Sequence, residues 1–106
     1  MAVALKFKNQ PIVLDGIRFD SRKEAARWIE LRLLQKAGLI SDLHRQVKFD
    51  LAVNGIKVCA YWADFTYIEN AALVVEDTKS SATKTPVFRL KAKLMAAIHG
   101  ITIRTT

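Results

Sequence analysis

The feature that most constrains this chain is a pair of acidic, strand-like segments in its middle, residues 58–79, with the sequence VCAYWADFTYIENAALVVEDTK. Side chains alternate between the two faces of a β-strand, and apolar side chains recur along both halves of this stretch. The pattern predicts two strands, residues 58–68 and 73–79, joined by a short turn at residues 69–72. Aspartate is depleted from strands, so carboxylates inside this hairpin require a specific explanation.

The register of the predicted hairpin brings two of these carboxylates together. An antiparallel pairing of Ile68 with Leu73 fixes which residues face each other across the hairpin. The same register places Asp64 directly opposite Asp77, with their Cβ atoms about 4.5–5.5 Å apart. Two like charges at that distance repel each other. Lys79 supplies one compensating charge, and a divalent cation would supply two.

Length and charge limit the class of protein. A chain of 106 residues, 51% of them hydrophobic, predicts a single folded domain over residues 1–106. Its net charge of +7 favours a polyanionic partner, most often nucleic acid. No run approaches the roughly 18 apolar residues of a membrane span, and no signal peptide is evident. The single cysteine, Cys59, suits a reducing cytoplasm and is expected to be buried.

The N-terminal part predicts a small hairpin followed by a helix. Residues 11–19 read PIVLDGIRF, and the Asp-Gly pair at residues 15–16 suits a turn with positive φ angles. Ser21 and Glu24 have the spacing of a capping box, and Gly38 is placed to end the helix. The predicted apolar side of this helix comprises Ala25, Trp28, Ile29, Arg32, Leu33 and Leu34. Two roles for Glu24 are open: capping of the Ser21 amide, which spacing favours, or a position over the sheet.

The segment before the acidic hairpin predicts a further strand. Residues 39–43 are interpreted as a turn, and the alternation in residues 46–53 predicts a half-buried strand. Asn-Gly at residues 54–55 is a strong hairpin signal that returns the chain into the first acidic strand. Gln46 could reach the acidic residues from the start of this strand. Its position is more typical of an ordinary polar-face residue.

The C-terminal part predicts a loop, a helix and a last strand. The polar residues 80–85 are interpreted either as a plain loop or as a flap that orders on DNA. Thr85 and Pro86 suit the cap and first turn of a helix that ends at Gly100. The cations of this helix, Arg89, Lys91 and Lys93, are candidates for phosphate contact, as is the neighbouring Lys84. Residues 101–104 predict the final strand.

Asp64 followed on the next strand by Asp77-Thr78-Lys79 resembles the Asp…(Asp/Glu)-x-Lys core of the PD-(D/E)xK nuclease superfamily, with Ala63 in place of the family's leading proline. The predicted α-βββ-α-β order resembles the α/β, restriction-endonuclease-like core, a mixed sheet flanked by two helices, here preceded by a hairpin. The runs Ser-x-x-Glu-Ala, Gln-Val-x-Phe-x-Leu, Ala-Asp-Phe, Val-Glu-Asp-x-Lys and Lys-Leu…Gly-Ile-x-Ile are similar to a small phage and prophage family of nuclease-like proteins.

The resemblance implies a Mg²⁺-dependent endonuclease, with Mn²⁺ able to substitute, that hydrolyses DNA phosphodiester bonds in junctions or recombination intermediates. It implies catalytic roles for Glu24, Asp64, Asp77 and Lys79. The metal ligands would be Asp64, Asp77, Glu24 and the carbonyl of Thr78. With the resemblance counted, Glu24 is assigned to the site rather than to the cap. Such enzymes often act as dimers, and a bacterial host cytoplasm is the expected location.

Two other classes remain open from the sequence. The first is a basic DNA-binding protein that has the same fold without catalytic activity, and the second, more remote, is a purely structural interaction domain. Glu76 alternates to the face opposite Asp77, so it is expected to be structural or exposed to solvent. Intact Asp64, Asp77 and Lys79 favour the nuclease over the first alternative, and a structural interaction domain has no use for the net charge of +7.

Overall fold

The computed structural model describes residues 11–79 and 83–106 and has an α/β architecture. The elements are β1 Ile12–Leu14, β2 Ile17–Phe19, α1 Arg22–Lys36, β3 Ser41–Val53, β4 Ile56–Glu69, β5 Ala72–Asp77, α2 Pro86–Leu94, a π-helical segment Met95–His99 and β6 Arg104–Thr105. β1 and β2 form a hairpin, and a four-stranded sheet has the order β3-β4-β5-β6. Its pairings are antiparallel except for the parallel β5–β6 pair. The predicted fold class and element order are confirmed.

The local signals for turns and helix starts act as the sequence predicts. Asp15 and Gly16 adopt φ angles of 54° and 77° in the β1–β2 turn, and Asn54-Gly55 has the same type of backbone between β3 and β4. The Ser21 hydroxyl accepts a hydrogen bond from the Glu24 backbone N–H at 3.1 Å, which caps α1. The Thr85 hydroxyl caps α2 in the same way through the Phe88 N–H.

The buried face of α1 differs from the predicted apolar side. Ala25 and Leu31 are buried, whereas Ile29 and Leu33 are exposed. A helix buries residues three and four positions apart, and the stripe that faces the sheet runs through Ala25, Trp28 and Leu31. Ile29 and Leu33 lie beside this stripe, so the prediction that they belong to the buried side was wrong.

Two apolar clusters lie on opposite sides of β5. Val74 packs with the cluster of Leu31, Ile40, Phe65 and Tyr67. Its neighbour Val75 belongs to the other cluster, with Leu51, Tyr61, Ala63 and Met95. Neighbouring residues of a strand point to opposite faces, so α1 and the α2 region cover different sides of β5. Cys59 is half-buried against the second cluster.

The ends of the sheet depart from the sequence expectations. β3 begins at Ser41, inside the predicted turn, and contains an irregularity between Ser41 and His44. The predicted last strand, residues 101–104, overlaps with β6 only at Arg104, and Ile101 and Ile103 pack against the second cluster. Part of the predicted flap, residues 80–82, lies outside the described residues. Within residues 11–79 and 83–106, no helix has the length and apolar character needed to cross a membrane.

Candidate active site

The β4–β5 hairpin brings the two predicted aspartates together. Its observed register pairs Ile68 with Leu73 and Phe65 with Glu76, so the predicted register is confirmed. Asp64 and Asp77 are the next residues beyond this last pair. The Asp64 Oδ2 atom also accepts a hydrogen bond from the Thr78 N–H at 2.9 Å. The backbone directly after β5 therefore holds the Asp64 carboxylate beside Asp77.

Asp77 is buried in a crowded electrostatic setting. Burial raises the pKa of its carboxyl to about 7, and hydrogen bonding to Asp64 and the charge of Asp64 act in the same direction. The Tyr61 hydroxyl donates to Asp77 Oδ2 at 2.8 Å, and the ammonium of Lys79 lies 3.7 Å from the same oxygen. Both contacts lower the pKa of Asp77 without cancelling the rise.

Thr106, directly after β6, fixes the backbone of this segment. The Thr106 N–H donates to the Asp77 carbonyl at 3.0 Å, and the Lys79 N–H donates to the Thr106 carbonyl at 3.1 Å. The Lys79 side chain also lies over the Phe88 ring, with Nζ 4.8 Å from the ring centroid. The ammonium is thus held between an aromatic face and the Asp77 carboxylate.

Glu24 contributes a third carboxylate from the first turn of α1. Its side chain is buried, and its Oε2 atom lies 3.3 Å from the Gln46 amide nitrogen and 3.9 Å from an Arg45 guanidinium nitrogen. The pKa of Glu24 is raised to about 7, first by burial and then by the negative charges of Asp64 and Asp20. Arg45 and Gln46 oppose this rise. The carboxylate therefore faces the acidic hairpin, although the Glu24 backbone takes part in the helix cap.

Two clefts meet at these side chains, and both are lined by Asp64 and Lys79. The first cleft, of about 420 Å³, is further lined by Pro11, Arg18, Asp20, Ser21, Glu24, Thr78 and Thr83. The second cleft, of about 300 Å³, is further lined by Tyr61, Trp62, Asp77, Thr85, Val87, Phe88 and Lys91. A ligand that passes Asp64 and Lys79 could therefore extend along both sides of the acidic group.

A model of one protein family matches residues 4–102 of this chain, and its description is "Protein of unknown function (DUF1064)". The matched range includes every residue that lines the two clefts. The chain belongs to the DUF1064 family. Comparisons with the curated proteins and with solved structures found no significant match. The family description assigns no activity, so arguments about the function of this DUF1064 chain start from the geometry of the site.

The predicted cations of the DUF1064 chain are distributed unevenly around the clefts. Lys91 lines the second cleft. Arg89 and Lys93 are exposed on α2, and each lies two positions from Lys91, which on a helix is about 200° away around the axis. Lys84 is half-buried just before the α2 cap. The structure thus brings Lys91 to the acidic group and places Arg89 and Lys93 on the opposite side of α2.

Gln46 is the site residue that the sequence analysis undervalued. Its amide nitrogen lies 3.3 Å from Glu24 Oε2 and 3.4 Å from Asp64 Oδ1, so it bridges two of the three carboxylates. The interpretation as an ordinary polar-face residue was wrong. The sequence signal that could have found it is its place at the start of β3, in the strand that pairs with the Asp64 strand.

The carboxylates do not form a closed metal cage in this conformation. Among the side chains of residues 11–79 and 83–106, no three from His, Cys, Asp and Glu converge closely enough to hold a metal ion. The Gln46 amide stands between Glu24 and Asp64, and the Tyr61 hydroxyl binds Asp77. The Thr78 hydroxyl, beside Asp64, is buried and has no hydrogen-bond partner within the described part of the chain.

Proposed function

We propose that this DUF1064 protein is a Mg²⁺-dependent endonuclease of the PD-(D/E)xK type that hydrolyses phosphodiester bonds in DNA. The observation that carries the proposal is the crowding of three carboxylates, Glu24, Asp64 and Asp77, beside Lys79 at the junction of two clefts. The pKa values of Glu24 and Asp77 are each raised to about 7, with burial as the leading cause. Perturbed carboxyls in a cleft are typical of functional sites.

The donor set suits a hard divalent cation. Mg²⁺ prefers oxygen ligands and usually keeps several waters, so a few carboxylates at the edge of a cleft are sufficient. Asp64, Asp77, Glu24 and the Thr78 carbonyl would hold Mg²⁺ or Mn²⁺. When bound, the ion supplies Lewis-acid stabilisation of phosphate charge and a more acidic water. Its positive charge would also offset the repulsion between the carboxylates, which adds to burial in raising the pKa values of Glu24 and Asp77.

The other residues have distinct tasks in this proposal. Tyr61 orients Asp77 through its hydroxyl, and Gln46 orients Glu24 and Asp64 through its amide. Lys79 stabilises the negative charge that develops on the phosphate, because its ammonium is fixed 3.7 Å from Asp77 at the mouth of both clefts. Arg18 and Lys91, one in each cleft, would contact phosphates on either side. The homodimer and the cytoplasmic location stay predictions.

A non-catalytic DNA-binding protein is the second candidate function. It is favoured by one observation, that no three acidic, histidine or cysteine side chains in the described ranges converge as a metal site. In that alternative Tyr61 and Lys79 compensate Asp77 permanently, and Gln46 does the same for Glu24 and Asp64. The net charge of +7 supports DNA binding equally in both proposals. The two candidates differ in whether a divalent cation produces cleavage.

The deciding experiment separates DNA binding from DNA cleavage. The parent protein is incubated with supercoiled plasmid and with a branched DNA in Mg²⁺, Mn²⁺ or Ca²⁺, and cleavage is followed on gels. Asp64→Asn removes a proposed metal ligand and Lys79→Ala removes a positive charge beside the reacting phosphate, so each should lower the cleavage rate by about a hundredfold to a thousandfold. Lys79→Ala should still bind DNA in Ca²⁺ nearly as well as the parent.

Lys36→Ala is the charge-matched control for Lys79→Ala. Lys36 is exposed in the last turn of α1, away from both clefts, so its loss should leave the cleavage rate at the parent value. A parent protein that binds DNA but cuts none of these substrates in Mg²⁺ or Mn²⁺ would favour the non-catalytic DNA-binding protein. A full cleavage rate for Lys79→Ala would remove Lys79 from the chemistry.

A further inference from the structure

Trp62 is a large aromatic side chain that the fold leaves at the surface of the second cleft. It is 55% exposed, lines that cleft with Asp64 and Asp77, and precedes Asp64 by two residues on β4. The other tryptophan, Trp28, packs instead against the rings of Phe19 and Phe65. Burying a tryptophan stabilises a fold strongly, so an exposed one at the rim of a cleft is a candidate binding surface.

Three lysines lie around Trp62, in addition to the carboxylates of Asp64 and Asp77. Lys48 is its cross-strand partner, and the Lys48 ammonium lies 5.9 Å from the centroid of the Trp62 ring. Lys48 also lies 3.8 Å from Asp50, an exposed ion pair of little net strength. Lys79 and Lys91 line the same cleft as Trp62. An aromatic face flanked by several lysines matches a ligand that combines flat rings with negative charge.

We propose that Trp62 is a stacking platform for an unpaired nucleobase next to the scissile phosphate, which makes DNA with unpaired bases the substrate class. This inference rests on the proposed nuclease function and narrows its substrate. Bases inside a duplex are stacked on each other and expose only their edges. An aromatic side chain can therefore stack only on a base that has left the helix or was never paired.

The distance between Trp62 and the acidic group supports this assignment. Residues two apart on a strand are separated by about 7 Å along its axis, so Trp62 lies roughly that far from Asp64. A nucleotide whose base stacks on Trp62 would therefore be at, or directly beside, the phosphate that reaches Asp64 and Lys79. Lys48 and Lys91 would attract the phosphates of the same strand. Charge complementarity thus favours single-stranded DNA over an apolar protein segment at this surface.

The test compares two DNA molecules that differ in whether three central thymines have a complementary strand. One is a fluorescein-labelled duplex with a central gap of three unpaired thymines, and the other is the same duplex fully paired. Affinities are measured in Ca²⁺, so that binding is followed without cleavage. The parent should bind the gapped DNA more tightly, and Trp62→Ala should lose about fivefold to a hundredfold of that affinity while its affinity for the paired DNA is unchanged.

Three further variants distinguish stacking from apolar bulk. Trp62→Phe retains an aromatic face and should keep most of the preference for the gapped DNA, whereas Trp62→Leu should lose it as Trp62→Ala does. Val58→Ala removes a similarly exposed apolar residue, 59% against 55%, from the same strand and should behave as the parent. If Trp62→Leu binds gapped DNA as well as Trp62→Phe, or if Trp62→Ala weakens both DNAs equally, the stacking inference is wrong.

Tryptophan fluorescence gives an independent readout. Gapped DNA in Ca²⁺ should quench the emission of the parent, which has two tryptophans, and should quench Trp62→Phe much less, because only Trp28 remains. Equal quenching of both proteins would overturn the stacking inference. Failure of the proposed function is recognised separately, as a parent protein that cuts neither DNA in Mg²⁺ or Mn²⁺. A parent that cuts DNA, with Trp62 variants of unaltered preference, would overturn the stacking inference alone.

Discussion

Glu76 and Asp77 are neighbours on β5, both are buried, and their carboxyls lie in opposite electrostatic settings. Glu76 accepts hydrogen bonds from two nitrogens of Arg27, at 2.7 and 2.9 Å, and from the Tyr67 hydroxyl at 2.6 Å. Burial acts to raise the pKa of Glu76, but the bonds from Arg27 and Tyr67 outweigh it and lower the pKa. Burial and the adjacent Asp64 raise the pKa of Asp77 to about 7.

The comparison shows that burial alone does not decide what a carboxylate is for. Glu76 is the centre of a satisfied ion pair, in which Thr106 adds a further donor at 3.1 Å. Removal of either partner from such a buried pair strongly destabilises the protein. Asp77 shares its site with Asp64 and, further on, with Glu24, so the negative charges exceed their local compensation. An excess of negative charge of this kind is an arrangement that a bound cation would stabilise.

The largest expected difference between Glu76 and Asp77 is in their contribution to the free energy of unfolding. Glu76→Gln leaves the Arg27 guanidinium with a weaker buried partner and should lower the free energy of unfolding by about 3–5 kcal/mol. Asp77→Asn removes a repulsive charge and should raise the free energy of unfolding at pH 8 by on the order of 1 kcal/mol. Urea unfolding without divalent ions measures both. Equal destabilisation by the two substitutions would contradict the contrast drawn between Glu76 and Asp77.

The pH dependence of stability should follow the acidic group. The folded-state pKa values of Glu24 and Asp77, each about 7, lie above the values of 4.5 and 3.8 expected without the fold. Between about pH 4 and pH 7 the folded protein therefore binds more protons than the unfolded chain, and the free energy of unfolding falls as pH rises. The fall should be several kcal/mol, because each unit of pKa shift corresponds to about 1.4 kcal/mol.

Melting curves between pH 4 and pH 8 in the absence of divalent ions measure this fall. The double variant Glu24→Gln, Asp77→Asn should have a flatter pH profile, because both titrating groups are removed. Mg²⁺ should stabilise the parent most above pH 7, where both carboxyls are ionised. A double variant with the same profile as the parent would assign the pH dependence to other groups.

Gln46 should matter for metal affinity more than for stability. Its amide orients Glu24 and Asp64, and loss of a residue that orients metal ligands typically lowers metal affinity about tenfold to a hundredfold. Titration calorimetry with Mn²⁺ on Gln46→Ala measures the change. His44→Ala, an exposed position two residues earlier on β3, is the control and should bind Mn²⁺ as the parent does. If Gln46→Ala binds Mn²⁺ with the affinity of the parent, Gln46 does not orient the metal ligands.

The smallest expected effect separates the two sides of α2. Lys91→Ala should weaken duplex binding severalfold and reduce the salt dependence by about 0.9 in the log–log slope, the effect of one lost phosphate contact. Arg89→Ala should change both quantities less, because Arg89 is not among the residues that line the second cleft. Salt titrations in Ca²⁺ measure the slopes. Equal effects of the two substitutions would extend the DNA-binding surface around α2.

The sequence determined the parts of the molecule that depend on local chemistry. The caps at Ser21 and Thr85 and the turn at residues 54–55 each follow from a few adjacent side chains. The short β4–β5 connection likewise fixed the pairing of Ile68 with Leu73 and hence the approach of Asp64 to Asp77. Element order and fold class then followed from the positions of these local signals.

Contacts between residues far apart in the chain were decided only by the tertiary structure. Val53 pairs with Ile56, and this register continued regularly would set Arg45 opposite Asp64. An irregularity between Leu51 and Ala52 shifts the pairing by one residue and brings Gln46 there instead. A shift of one residue in the pairing moves each side chain to the other face of the strand. No local sequence motif indicated this irregularity.

The partner of Glu76 was equally hidden from the sequence. Arg27 lies 49 positions earlier, on α1, and reaches Glu76 only because the helix packs across that face of the sheet. The sequence analysis expected Glu76 to be either structural or exposed to solvent, and the structure shows that it is fully buried. The exposure of Trp62 was also decided by packing, since the α2 region covers Tyr61 and leaves its neighbour open. Periodicity gives the faces of a strand, but only the packed elements decide which face is covered.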